Sequence, residues 1–206
     1  MTEKRSQHKK NKWKILFLSL LVANGVLVVG LLILLFWPVS ETDRPDAKPQ
    51  PKDESSEFIV RTTKQNVDDL ANAYLEELLK GTNHQYSLSL NEDVELNGEL
   101  PVFTTTVPLS MHFDPEVQKN GDVVLKQKSI SVGLLQLPNQ KIMEYMGKYL
   151  PMPEWVTVDA KKEEIYVAVT EMDIKSNFHV SVEQLDLESD NLAFKIRVPY
   201  KTMGIE

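Results

Sequence analysis

The sequence predicts an α+β fold: a single N-terminal transmembrane helix followed by an extracytoplasmic domain in which a curved antiparallel sheet packs around one long and one short helix. Three observations predict it. An uncharged apolar run fills residues Ile15 to Trp37; a helical periodicity opens the part after Phe58; and period-two alternation then dominates, interrupted once by a second helical spacing.

The chain has 206 residues, and its first element is the run "ILFLSLLVANGVLVVGLLILLFW" at 15–37. At roughly 1.5 Å per residue it spans about 35 Å, enough to cross a hydrocarbon core of about 30 Å. A signal peptide has a shorter apolar region of about 7–15 residues and a small-residue cleavage site, and neither is present here. A retained anchor is therefore expected. Residues 1–14 form a basic tail, with Lys4, Arg5, Lys9, Lys10, Lys12 and Lys14 against Glu3, whereas Glu41, Asp43, Arg44 and Asp46 follow the span. The positive-inside rule places the N-terminus in the cytoplasm and the C-terminal domain outside the cell membrane. Trp13 and Trp37 stand where interfacial aromatic anchors belong.

Residues 38–57, "PVSETDRPDAKPQPKDESSE", hold four prolines, many charges and almost nothing apolar. Such a composition buries no core and reads as a semi-extended tether. The folded domain is expected over 58–206. In it, Val67, Leu70, Ala71, Tyr74, Leu75, Leu78 and Leu79 mark one face of a helix, with Asn66 as N-cap and Gly81 beyond its end. Alternation follows at Tyr86, Leu88 and Leu90, then at Val94 and Leu96, which run into Asn97-Gly98, a strong hairpin signal. Strands are also expected around Val107–Phe113, Val123–Leu134, Val156–Val158, Ile165–Val169, Phe178–Leu187 and Leu192–Val198. Pro138 and Pro151 frame the short helix, whose apolar face carries Ile142, Met143, Met146, Tyr149 and Leu150.

The net charge of −7 combines +5 in residues 1–14 with −12 in the remainder. An acidic body is not steered towards nucleic acid. Zero cysteines exclude disulfides and thiolate catalysis. None of the usual nucleophile, zinc, phosphate-loop, dinucleotide or calcium motifs occurs. His112 and His179 fall on the polar phase of their strands, where solvent-facing imidazoles outnumber metal ligands, and His84 suits a helix C-terminus. The adjacent acids Asp68-Asp69, Glu76-Glu77, Glu92-Asp93 and Glu163-Glu164 diverge from one another and read as solvated surface. "TTTV" at 104–107 reads as the outward face of a strand. Neither a catalytic residue, a metal site nor a cofactor is expected.

Apolar surface without chemistry remains. If the sheet curls around the long helix, a groove would be lined by Leu109, Met111, Val132, Leu134 and Leu137. Its rim would add Ile142, Met143, Met146, Met152 and Trp155. Methionine adapts to varied apolar shapes, so these residues suit a binding wall, and they equally suit the completion of a closed core.

The basic tail and span, the tether, "NVDDLANAYLEELL", the block "LPVFTTTVPLSMHFDPEVQKNGDVVLKQKSISVGLLQLPNQKIMEY" and "LPMPEWVTVD" together resemble the YpmS-like family of membrane-anchored proteins of Gram-positive bacteria. That resemblance brings no catalytic residue with it. "SVGLLQLP", a short helix and then amphipathic hairpins are distantly similar to the TULIP-like lipid-binding pattern. That likeness implies a long sheet wrapped around a helix and an apolar tunnel. Two functions are expected from these features. One is the binding of a lipid or another hydrophobic envelope molecule; the other is a protein–protein interaction module that scaffolds or regulates an envelope enzyme.

Overall fold

The computed structural model describes residues 4–39, 42, 54–82, 84–102, 105–134, 137–172, 174 and 177–200. It divides at Pro38 into two units. The first is the helix α1, Lys4–Phe36, which takes the expected basic tail and span into one rod. Within it, Lys12–Phe36 is long and apolar enough to cross a membrane. Most of the expected tether lies outside the described residues.

The second unit is mixed α+β, with antiparallel pairing throughout the described strands. Its strands sort into two sheets. β1 (Ser55–Thr62), β8 (His179–Asp186) and β9 (Asn191–Pro199) form one, in the order β1-β9-β8. The other contains β2 (Tyr86–Leu90), β3 (Val94–Val102), β4 (Thr105–Val117), β5 (Val123–Val132), β6 (Val156–Asp159) and β7 (Glu164–Val167). Its order is β2-β3-β4-β5-β7-β6. β1 opens at Ser55, three residues inside the stretch read from sequence as tether.

Alternation decides which face of the larger sheet is buried. Leu88, Leu96, Met111 and Ile130 form one cross-strand row, and Leu90, Val94 and Phe113 form another. Leu109, Met111 and Phe113 are fully enclosed, whereas Ser110 and His112 between them face the other way. The pairing slips by one residue between His112 and Phe113, a bulge that adds local twist.

Two local expectations are corrected. Asn97-Gly98 is not a hairpin turn: both residues lie inside β3, and the chain reverses instead at Asn91–Asp93. Gly98 is needed there because a Cβ would stand 2.1 Å from the Tyr86 ring on the neighbouring strand. The second correction concerns the long helix α2, Lys64–Leu79. Its N-cap is Thr63, whose side chain accepts from the Asn66 N–H, so the cap lies three residues before the expected Asn66. Gly81, at φ +83°, follows its end as expected. The short helix α3, Asn139–Tyr149, falls between Pro138 and Pro151 as expected.

The larger sheet is strongly curved. A flat six-stranded sheet would hold its edge strands about 24 Å apart, yet α2 meets one edge and the residue that leads into the other. Asn72 of α2 bonds both backbone groups of Leu88 in β2, and two residues further on the Tyr74 ring lies 5.6 Å from that of Trp155, just before β6. α3 packs against β6, where a Cβ on Gly147 would come 3.2 Å from that of Val158, and its Tyr145 packs against the same apolar cluster as Tyr86 of β2. The smaller sheet docks through the turn between β4 and β5. Val182 N–H donates to the Gly121 carbonyl at 2.8 Å, Val123, Val169 and Val182 form an apolar contact, and Leu192 of β9 joins the larger buried cluster.

Candidate functional site: an apolar interior beneath helix α2

The interior of the curl is where the sequence-selected apolar residues meet. Leu109, Met111, Val132, Ile142, Met143 and Met146 belong to a single buried cluster, with Met111, Met143 and Met146 wholly inaccessible. Met152 packs against that cluster and is half-buried. Trp155 faces a different group, formed by Val124, Tyr166 and Ala168. Leu134 and Leu137 are not gathered in; Leu134 is fully exposed and Leu137 is 38% exposed. β5 ends at Val132, and the backbone turns at Gly133 with φ +52°, so Leu134 no longer follows the strand's alternation.

The helices have unequal shares of this interior. α3 has 11 residues and buries Ile142, Met143 and Met146, whereas α2 has 16 and buries only Leu79. Full burial of such a side chain stabilises by about 1.5–3 kcal/mol, so α3 is fixed by three such terms and α2 by one. Leu70, 73% exposed, and Tyr74, 42% exposed, stand one turn apart on α2 and are left largely uncovered. Sequence periodicity counts both as core positions, because spacing marks a face and does not reveal how much of that face finds a partner.

α2 is held instead by polar contacts with a strand edge. Leu88 N–H donates to Asn72 Oδ1 at 2.8 Å, Asn72 Nδ2 donates to the Leu88 carbonyl at 2.7 Å, and Leu90 N–H donates to Asp68 Oδ1 at 2.7 Å. These side chains satisfy the backbone groups that an edge strand otherwise leaves open. Tyr86 on the same strand has its hydroxyl pKa pushed up to about 12, first by burial and then by Tyr145.

Polar groups cluster elsewhere. Asp122 is 1% exposed and accepts from Tyr166 Oη, from Asn120 Nδ2 at 2.6 Å, and from Thr170 through both N–H at 2.9 Å and Oγ1 at 2.8 Å. The sequence reading missed this carboxylate, because "NGD" looks like a solvated turn and its partners are 44 and 48 residues away. Among the adjacent acids, Glu164 is buried and the Asp93 side chain is only 14% exposed, so both depart from the expected solvated surface. Burial raises the Asp93 carboxyl, but His112 at 3.1 Å and Lys128 at 3.0 Å outweigh it and hold it below its ordinary value. Lys128 also reaches Asp114 at 3.2 Å, so these charges already satisfy one another. His112 and His179 lie in different sheets. Among the described residues, no group of three or more His, Cys, Asp or Glu is placed to hold a metal ion.

Comparison with known proteins agrees in extent with the whole architecture. Residues 11–198 match the family described as "Uncharacterized protein conserved in bacteria (DUF2140)". The chain is 30% identical over 190 residues to "Uncharacterized protein YpmS" of Bacillus subtilis (strain 168), covering 92% of this chain and 98% of that one. No solved structure matches.

Proposed function

This chain belongs to the DUF2140 family of bacterial proteins, and within it we propose a membrane-anchored, non-enzymatic cell-surface protein that holds a lipid or other hydrophobic envelope molecule. α1 would anchor it, with the N-terminus in the cytoplasm and the body outside, as the basic flank directs. One observation carries the binding reading: a methionine-lined interior lies inside a curved sheet, and α2, which meets one edge and the residue that leads into the other, is a helix that buries one residue.

In this reading α2 moves off the seam and an acyl chain enters beside Met111, Met143 and Met146, whose unbranched thioethers re-pack around it. Leu70, Tyr74, Leu137, Met152 and Trp155 would form the entrance, with Leu134 beside it. Apolar burial at roughly 25 cal/mol per Å² drives the binding. The TULIP-like pattern of "SVGLLQLP", a short helix and amphipathic hairpins would imply the same arrangement, a sheet wrapped around a helix.

The body should be expressed from Glu54, because β1 begins at Ser55 and the Tyr200 N–H bonds to the Glu54 carbonyl. Solvent extraction and mass spectrometry of residues 54–206 should recover lipid, and Met143→Trp should reduce it several-fold by filling the interior. A folded body that carries no lipid and takes up no fluorescent fatty acid overturns the proposal.

A further inference from the structure

The two sheets have four edge strands, and three of them are blunted. Side chains of α2 occupy the open groups of β2, β8 gives its Val182 N–H to Gly121, and β6 has only four residues. β1 is different. It has eight residues, with no proline, lysine or bulge, and it exposes Phe58, Ile59 and Val60 by 54%, 59% and 44%. Among the described residues its one strand neighbour is β9.

The residues along that open edge complement themselves. If a second β1 is laid antiparallel beside the first with Ile59 opposite Ile59, Phe58 meets Val60, Glu57 meets Arg61 and Ser56 meets Thr62. Every pair then recurs through the two-fold axis. Each member of a pair shares a face with its partner, as cross-strand neighbours must. Within one chain, Arg197 contacts only Oε1 of Glu57, at 2.6 and 3.1 Å, and Oε2 has no partner among the described residues. Arg61 has no hydrogen-bond or ion-pair partner among the described residues. Among the described residues, one chain therefore offers an unpaired carboxylate oxygen and an unpaired guanidinium, four residues apart on one strand.

We infer that two copies of this chain associate through antiparallel pairing of β1 with β1, joining their smaller sheets into one six-stranded sheet. The strand order becomes β8-β9-β1-β1-β9-β8. On one face Phe58 and Val60 of each copy cover each other beside Ile196 and Phe194, their partners on β9. On the other face Glu57 lies between Arg197 of its own chain and Arg61 of the second copy. Anchoring both copies in one membrane would raise their effective concentration.

The native chain has no cysteine, so single cysteines in the full-length protein, oxidised in its membrane, test this directly. Ile59→Cys should give a disulfide-linked dimer, because directly opposite residues have Cα atoms about 4.5–5.5 Å apart, within disulfide range. Lys119→Cys, on the turn between β4 and β5, should not. Ser56→Cys and Thr62→Cys chains should crosslink when mixed, and neither should crosslink with itself. Adding Arg61→Glu should lower the Ile59→Cys yield about tenfold, because two attractive pairs become repulsive. Arg61 has no hydrogen bond or ion pair to lose among the described residues, so its replacement leaves the fold standing. Equal crosslinking at positions 59 and 119, a different register, indifference to Arg61→Glu, or capture of another protein at position 59 would each overturn the inference.

Discussion

A methyl group at position 98 would stand 2.1 and 2.4 Å from two carbons of the Tyr86 ring and 2.9 Å from the Gln85 carbonyl oxygen. Gly98→Ala must therefore push the ring off β3 or bend the strand, at a cost of about 1–3 kcal/mol. A urea titration of residues 54–206 should show its midpoint falling accordingly, and Tyr86→Ala should relieve the ring's share of the clash in the double variant. The same position shows what the sequence leaves unread. Asn97-Gly98 has the local signature of a turn, and what overrides it is an aromatic ring 12 residues earlier in the chain. Asp122 is hidden in the same way, because its reason for being buried lies at Tyr166 and Thr170.

Among the elements, α2 is the one whose attachment depends on polar side chains. Asn72→Ala removes the donor and the acceptor that serve Leu88, leaving both backbone groups of that residue open. A loss of about 1–3 kcal/mol is expected, together with faster hydrogen exchange at the Leu88 and Leu90 amides. Exchange unchanged at those amides would show that α2 does not guard the edge. α3 was legible almost to the residue, because two prolines set its limits and its apolar spacing matches what it buries. α2 was legible as a helix but not as a weakly buried one. β1 escaped notice because Phe58-Ile59-Val60 does not alternate; in an edge strand neither face is fully covered, and the pattern on which sequence reading depends is absent. The six most deeply placed groove candidates were recognisable as apolar positions, but whether such positions wall a groove or fill a core depends on neighbours far away in sequence.

At the scale of the whole molecule, carboxylates set the response to acid. Burial raises the pKa of Asp93 and of Asp159, and in each case neighbouring donors outweigh it: His112 and Lys128 for Asp93, Lys162 and Lys161 for Asp159. Both end below the ordinary value of 3.8. The folded chain thus binds fewer protons than the unfolded chain in that range. Their stabilisation is complete above the unfolded pKa and disappears as pH falls through the lower, folded values. Urea midpoints should hold steady from about pH 7 to 5 and fall steeply below about 4. Lys128→Ala and Lys162→Ala should each lower the midpoint at pH 7 and flatten its fall in acid, because the folded pKa of the carboxylate moves back towards the unfolded value. A fall that keeps its steepness in both variants would assign acid sensitivity to other groups.

The pairing of β1 with β9 also governs when the body can become whole. Ser55 lies opposite Pro199 and Thr62 opposite Leu192, so the first strand of the body pairs with its last. A chain emerging from its N-terminal end must keep Phe58, Ile59 and Val60 without their strand partner until nearly all that follows has been made. Contacts so distant in sequence form slowly, and a nascent chain stalled anywhere before β9 leaves an unpaired apolar strand. The period before that last strand arrives is when this protein is most exposed to proteases and to aggregation with its neighbours.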